Sequence, residues 1–70
     1  MASVTDARGR SCPEPVIMTK AALAQRPDCC EVLVDNQTAL GNVTRFAKNQ
    51  GYAATFREEG EFFRVSLRRA

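Results

Sequence analysis

Seventy residues are enough for one small domain with a modest hydrophobic core, but not for a deep internal active site as well. Hydrophobic residues make up 44% of the chain and charged residues 26%, which excludes a disordered protein. Ten Lys and Arg against eight Asp and Glu give a net charge of +2, too small to indicate nucleic-acid binding by itself. We therefore expect a single domain over residues 1–70 whose chemistry takes place at its surface or with a partner.

The chain shows no pattern of export or membrane insertion. No apolar run reaches membrane-spanning length, and Met1–Asp6 lacks the charged and then apolar order of a signal peptide. We expect a cytoplasmic protein that contacts no membrane and keeps its three cysteines reduced. The sequence contains no His, so the commonest general base and the commonest metal ligand are both missing.

The sequence predicts six regular elements in the order βαβαββ. Pro13 and Pro15 can start the first helix, because a proline in the first turn breaks no intrahelical hydrogen bond. The order indicates an α+β fold, a two-layer α/β sandwich in which two helices cover one face of a four-stranded mixed sheet. The expected segments are a strand at Ser3–Ala7, a turn with Gly9 at Arg8–Ser11, a helix at Pro13–Arg26, a strand at Glu31–Asp35, a helix at Thr38–Gln50, and strands at Tyr52–Glu58 and Glu61–Arg69 joined by Glu59-Gly60.

Apolar spacing predicts which side chains point into the core. On the first helix the predicted stripe consists of Val16, Ile17, Ala21, Leu23 and Ala24. On the second helix, which Asn36 or Thr38 can cap, it consists of Ala39, Val43, Phe46 and Ala47. In the final hairpin, alternation directs Phe56, Phe63, Val65 and Leu67 inward, and Arg57, Phe62, Arg64, Ser66 and Arg68 outward.

The segment Asp6–Pro15, D-A-R-G-R-S-C-P-E-P, is the part of the chain that predicts chemistry. It places Cys12 directly before a helix that begins with proline, so Cys12 is expected at the N-cap or beside it. The unpaired N–H groups and the positive dipole end of that helix favour a thiolate over a thiol. Arg8 and Arg10 add positive charge nearby, and Glu14 acts against them. We interpret Cys12 as an exposed nucleophilic sulfur held by a stiff turn.

Three uses of such a sulfur can be compared. Hydrolytic or acyl-transfer catalysis normally needs a base beside the nucleophile, and without His a Cys-His dyad is excluded. Thioredoxin-like exchange needs a second cysteine at close spacing, which Cys12 lacks. Carrying sulfur as a persulfide needs only an accessible thiolate, because the receiving protein supplies the nucleophile. We therefore predict a sulfurtransferase-like carrier rather than a stand-alone turnover enzyme, with Cys12 as its reactive residue and with no cofactor and no metal.

The same motif carries a family resemblance. D-A-R-G-R-S-C-P-E-P resembles the signature of the TusA/SirA-like sulfur carriers, which share Cys-Pro-x-Pro at the first helix start, and the likeness extends over essentially the whole chain. The region V-D-N-Q-T-A-L-G-N-V-T-R-F-A-K-N-Q-G-Y looks closer to the YedF-type branch, which is associated with selenium metabolism. The resemblance maps the family cysteine to Cys12 and the motif prolines to Pro13 and Pro15. Arg10 departs from it, since that position is usually apolar.

The resemblance also implies partners and a pathway. A cysteine desulfurase or a rhodanese-like protein would be the sulfur donor, and another sulfur-transfer protein the acceptor. The relay would serve tRNA thiolation or related sulfur or selenium metabolism. Arg8 and Arg10 would assist thiolate formation and donor docking.

Cys29 and Cys30 are interpreted as structural residues. They open a strand, where alternation buries one side chain and exposes the other. They follow a helix of about 14 residues, which spans roughly 20 Å, whereas Cys12 precedes it. Neither cysteine can therefore reach Cys12 to form a disulfide or to share a zinc ion.

An alternative from a different class remains open at this point. Phe62 with Arg57, Arg64 and Arg68 on an open sheet face would suit a regulatory or nucleic-acid-binding module in which Cys12 is structural or redox-sensing. Arginines that extend over a solvated face are the plainer interpretation, so we do not expect a nucleic-acid partner. The same face could dock a protein or a second copy, and we expect a monomer or a weak homodimer.

Overall fold

Four strands and two helices follow one another in the predicted βαβαββ order. In the computed structural model, which describes residues 3–70, the elements are β1 (Ser3–Asp6), α1 (Glu14–Leu23), β2 (Cys29–Val34), α2 (Gln37–Asn49), β3 (Tyr52–Glu59) and β4 (Phe62–Arg69). Met1 and Ala2 lie outside the described residues. The prediction that Met1–Asp6 is not a signal peptide therefore concerns a segment that the structure describes only in part. Neither helix of residues 3–70 has the length and apolar character needed to cross a bilayer.

The strands form one mixed sheet in the order β1-β2-β4-β3. β1 pairs with β2 in parallel, whereas β2 with β4 and β4 with β3 are antiparallel. β2 is therefore central, which explains its almost continuous apolar sequence: Val32 and Val34 are fully buried. The α+β fold with a four-stranded mixed sheet and two helices is confirmed.

The core lies between one face of this sheet and the two helices. Its buried members are Ala7, Leu23, Cys30, Val32, Val34, Ala39, Val43, Ala47, Tyr52, Val65 and Leu67. The prediction for α2 is confirmed, because Ala39, Val43 and Ala47 are buried and Phe46 packs partly buried against the core. Asn36 is the N-cap of α2 and accepts a 2.7 Å hydrogen bond from the backbone N–H of Ala39.

The predicted apolar stripe of α1 is largely wrong. Leu23 is buried, but Ile17 is 57% exposed, and the other buried residues of the helix are Pro15 and Thr19. Thr19 can lie in the core because its hydroxyl donates a 2.8 Å hydrogen bond to the carbonyl oxygen of Pro15, one turn earlier. Spacing of apolar residues alone cannot find a helix face whose central buried side chain is a threonine.

Two predictions for the final hairpin need correction. The turn consists of Gly60 and Glu61 rather than Glu59-Gly60, because Glu59 stays paired with Phe62 in the ladder. Phe56 shares its face with Val65, its partner on β4, but on the edge strand β3 it is 59% exposed. There its ring and the ring of Phe63 form a T-shaped pair with a centroid distance of 6.0 Å.

Candidate functional site at the start of α1

Hydrogen bonds before Gly9 and at Gly9 itself tie the loop between β1 and α1 to the sheet. Before the glycine, the guanidinium of Arg8 donates to both carboxylate oxygens of Asp6, at 2.9 and 2.8 Å. At the glycine, which has φ +75°, the backbone N–H donates a 2.7 Å bond to the carboxylate of Asp35 at the end of β2. These bonds fix where the following segment leaves the sheet.

Cys12 lies at the junction between this loop and α1. Its neighbour Pro13 is the N-cap, so Cys12 stands one residue outside the helix, within the range that the sequence predicts. The Cys12-Pro13 peptide bond is cis, and the backbone N–H of Glu14 donates to the carbonyl of Ser11 at 2.9 Å. Pro15 is buried at the first turn of α1, whereas the Cys12 side chain is exposed. The buried Pro15 thus anchors a turn that presents the sulfur to solvent.

The sulfur lies beside a hollow of about 180 Å³ between the starts of the two helices. Its walls come from the Cys12 turn and α1 on one side and from the first half of α2 on the other. The lining residues are Arg10, Ser11, Cys12, Pro13, Pro15, Val16, Asn36, Thr38, Ala39 and Asn42. The opening beside the thiol can therefore accept at least one more heavy atom bonded to Sγ, since a water molecule in the liquid occupies only about 30 Å³.

Asn42 on α2 is the polar side chain that reaches this sulfur. Its Nδ2 lies 3.9 Å from Sγ of Cys12, and its Oδ1 accepts a 3.2 Å hydrogen bond from Arg45. Sequence reasoning missed Asn42, because the contact joins residues 30 positions apart on different helices. A signal was present in the sequence: Asn42 follows Ala39 by three residues and precedes Val43, so it borders the predicted buried stripe of α2.

The structure separates the two arginines that the sequence places near Cys12. Arg10 lines the hollow, and its guanidinium lies 3.8 Å from the carboxylate of Glu14, so part of its charge is balanced there. Arg8 is not part of the hollow, because it turns back to Asp6 and lies 4.8 Å over the ring of Phe62. Hydrogen bonds from Arg8 lower the pKa of Asp6 from 3.8 to about 2.

The other two cysteines lie at the far end of the sheet. Cys29 begins β2, whereas Asp35, just past its other end, holds the Cys12 loop; six strand residues separate these ends by roughly 20 Å. Cys30 is 1% exposed, and burial raises the pKa of its thiol, while Cys29 is half-buried. All three cysteines are free thiols, and within residues 3–70 no three His, Cys, Asp or Glu side chains come together as metal ligands would.

The open face of the sheet is mixed in charge. Arg64 donates to Glu31 at 2.8 Å and to Glu59 at 3.0 Å, so its charge is held between two carboxylates. Arg57 is 80% exposed, with its guanidinium 4.0 Å from Glu59. The interleaved carboxylates weaken the attraction that phosphates would feel at this face.

Comparisons with known proteins converge on one family. Residues 4–69 match the family described as sulfurtransferase TusA. The chain is 40% identical over 67 residues to a Methanocaldococcus jannaschii protein that is named as a sulfur carrier. The match covers 91% of this chain and 89% of that protein. The chain is also similar to the crystal structure of a SirA-like protein from Desulfitobacterium hafniense, with a TM-score of 0.85, 31% identity, and coverage of 94% and 95% of the two chains. The chain belongs to the TusA sulfurtransferase family.

Proposed function

We propose that this protein is a sulfur carrier that accepts sulfur as a persulfide on Cys12 and passes it to a second protein. The observation that carries the proposal is the placement of its three thiols. Cys12 is exposed beside an open hollow, whereas Cys30 is buried in the core and Cys29 is half-buried. A carrier needs one thiol that two different proteins can reach in turn, and Cys12 meets that requirement.

Carrying sulfur in this way requires two thiol–persulfide exchanges, one for loading and one for discharge. In loading, the Cys12 thiolate attacks the terminal sulfur of a donor persulfide, R–S–SH; the new bond joins Sγ to that sulfur, the donor S–S bond breaks, and the donor leaves as a thiolate. In discharge, an acceptor nucleophile attacks the terminal sulfur, the Sγ–S bond breaks, and its electron pair returns to Sγ. Neither exchange needs a base or a metal from the carrier.

The relay would operate in the cytoplasm, where thiols stay reduced. We propose a cysteine desulfurase or a rhodanese-like protein as the donor and another sulfur-transfer protein as the acceptor, in tRNA thiolation or related metabolism. Selenium is a second candidate cargo, because a selenium atom can take the place of the terminal sulfur in the same two exchanges. Pro13, Pro15 and Gly9 would hold the turn, and Arg10, which lines the hollow, would meet an incoming partner.

The direct test is to incubate the protein with a cysteine desulfurase and cysteine and to record its intact mass without reductant. We expect the mass of one added sulfur atom on the parent protein and on Cys29→Ser, and none on Cys12→Ser. An unchanged mass with several donors of both classes would reject the proposal. The same incubation with a selenium donor shows which of the two atoms is taken up.

A further inference from the structure

We propose that Asn42 is a catalytic residue of sulfur transfer, because its side-chain N–H donates to Sγ of Cys12 and stabilises the thiolate that forms at discharge. This inference rests on the proposed carrier function. It assigns a role to a residue outside the Cys-Pro-x-Pro motif and places it on the second helix, opposite the sulfur.

The orientation of the Asn42 amide follows from its second partner. Arg45 lies one turn further along α2 and donates to Oδ1 of Asn42 at 3.2 Å. A guanidinium carries only donors, so it can bind the oxygen of the amide and not the nitrogen. The NH₂ group is therefore turned away from Arg45, and it lies 3.9 Å from Sγ of Cys12, within hydrogen-bonding reach of a sulfur.

The backbone that carries Asn42 is rigid. Its neighbour Val43 is fully buried and Ala39, one turn before, is 7% exposed, so both fix this part of α2 against the core. Asn36 caps the start of the helix. A donor on an anchored helix holds its position more accurately than a donor on a loop, as stabilisation of a developing charge requires.

The contact acts differently in the two exchanges. When an acceptor attacks the terminal sulfur, negative charge builds on Sγ as the Sγ–S bond breaks. A hydrogen bond to that atom becomes stronger as the charge grows, so it lowers the barrier to discharge. In loading, the charge leaves Sγ, so the contact does not assist the attack itself. Asn42 should therefore control mainly how fast the sulfur is handed on.

The test uses cyanide as a small acceptor that needs no docking surface. Each protein, in a Cys29→Ser background, is loaded with inorganic polysulfide, freed of excess reagent and checked by intact mass. Cyanide then attacks the terminal sulfur, thiocyanate forms, and Cys12 returns to the thiolate. The rate of thiocyanate formation is the measurement, and thermal melting confirms that each variant is folded.

Asn42→Ala should slow thiocyanate formation about tenfold, the effect of losing one hydrogen bond to a charged atom. Asn42→Asp, which keeps the shape and the bond to Arg45, should slow it at least as much, because a carboxylate repels the forming thiolate. Arg45→Ala should slow it about twofold, since it leaves the amide free to rotate. Asn49→Ala, an exposed asparagine at the end of the same helix, is the matched control and should discharge at the parent rate.

Discharge of Asn42→Ala or Asn42→Asp at the parent rate would overturn this inference while leaving the carrier function intact, since all variants would still load. Should Asn42→Ala fail to fold, Asn42→Asp and Arg45→Ala carry the test. Failure of the parent protein to load from polysulfide or from protein donors would instead reject the proposed function.

Discussion

Cys12 and Cys30 carry the same thiol group, but one region of the molecule exposes it and the other buries it. Cys30 lies in a central strand, is 1% exposed, and has a thiol whose pKa is raised by burial. Cys12 lies in the turn before α1, is exposed, and lies within hydrogen-bonding reach of the Asn42 side chain. The central strand around Cys30 thus contributes to the stability of the fold, whereas the turn before α1 carries the reactive sulfur. Substitutions in one region should leave the property of the other region intact.

The two thiols should differ most in their rates of alkylation. In the folded protein, iodoacetamide should modify Cys12 at least about a thousandfold faster than Cys30, because Cys30 becomes accessible only when the core opens. Mass spectrometry of quenched, digested samples gives both rates. In denaturant the two rates should become similar, and similar rates in the native protein would contradict the comparison.

Serine substitutions test the same contrast in stability. Cys30→Ser should lower the free energy of unfolding by about 2 kcal/mol, because it places a hydroxyl among apolar side chains. Cys12→Ser should change it by less than about 0.5 kcal/mol, since the side chain is exposed. Urea unfolding of both variants measures the two values. Equal losses would show that the Cys12 turn also holds the fold together.

A third prediction concerns Gly41 in α2, the helix that forms one wall of the site. Gly41 is exposed, and nothing lies within 4 Å of the position that a Cβ would take. Gly41→Ala should therefore raise the free energy of unfolding by about 0.5–1 kcal/mol, the difference in helix propensity. Gly60→Ala is the control and should lower it, because Gly60 has φ +68°. Urea unfolding distinguishes the two, and a destabilised Gly41→Ala would be the contrary result.

In the loop that leads to Cys12, the ion pair between Asp6 and Arg8 should make stability weakly dependent on pH. Hydrogen bonds from Arg8 lower the pKa of Asp6 from 3.8 to about 2, so the folded protein binds this proton less readily than the unfolded chain. The stabilisation is complete above pH 3.8 and is lost as the pH falls towards 2. Asp6→Asn should flatten that part of the stability profile, with Arg8→Gln giving the same change. A profile that keeps its slope in both variants would exclude this ion pair as the cause.

Much of the fold follows from local patterns. The order of elements, the buried strand β2 and the buried face of α2 are all encoded in short apolar periods and in the polar residues between them. The failures arise where the spacing of apolar residues does not decide burial. Thr19 lies in the core because a backbone carbonyl one turn earlier accepts its hydroxyl, and Phe56 is 59% exposed although it shares its face with the buried Val65.

The residues of the candidate site also differ in how far the sequence predicts them. Cys12, Pro13 and Pro15 stand in one short motif, so the sequence can place them together. The apolar pattern of α2 places Asn42 beside the buried face, but its contact with Cys12 forms only because the two helices pack side by side. The separation of Arg8 from Arg10 depends on the direction of the chain at Gly9, where φ is +75°. Residue type alone could not tell which arginine lines the hollow beside the sulfur.

Locating the transferred sulfur on the chain shows directly whether Cys12 carries it. After loading by a desulfurase and capping with iodoacetamide, trypsin separates Cys12, in the peptide Ser11–Lys20, from Cys29 and Cys30, in the peptide Ala21–Arg45. We predict that the additional sulfur is found on the Ser11–Lys20 peptide and disappears when an acceptor is added. Finding it on the Ala21–Arg45 peptide, with Ser11–Lys20 unmodified, would contradict the account.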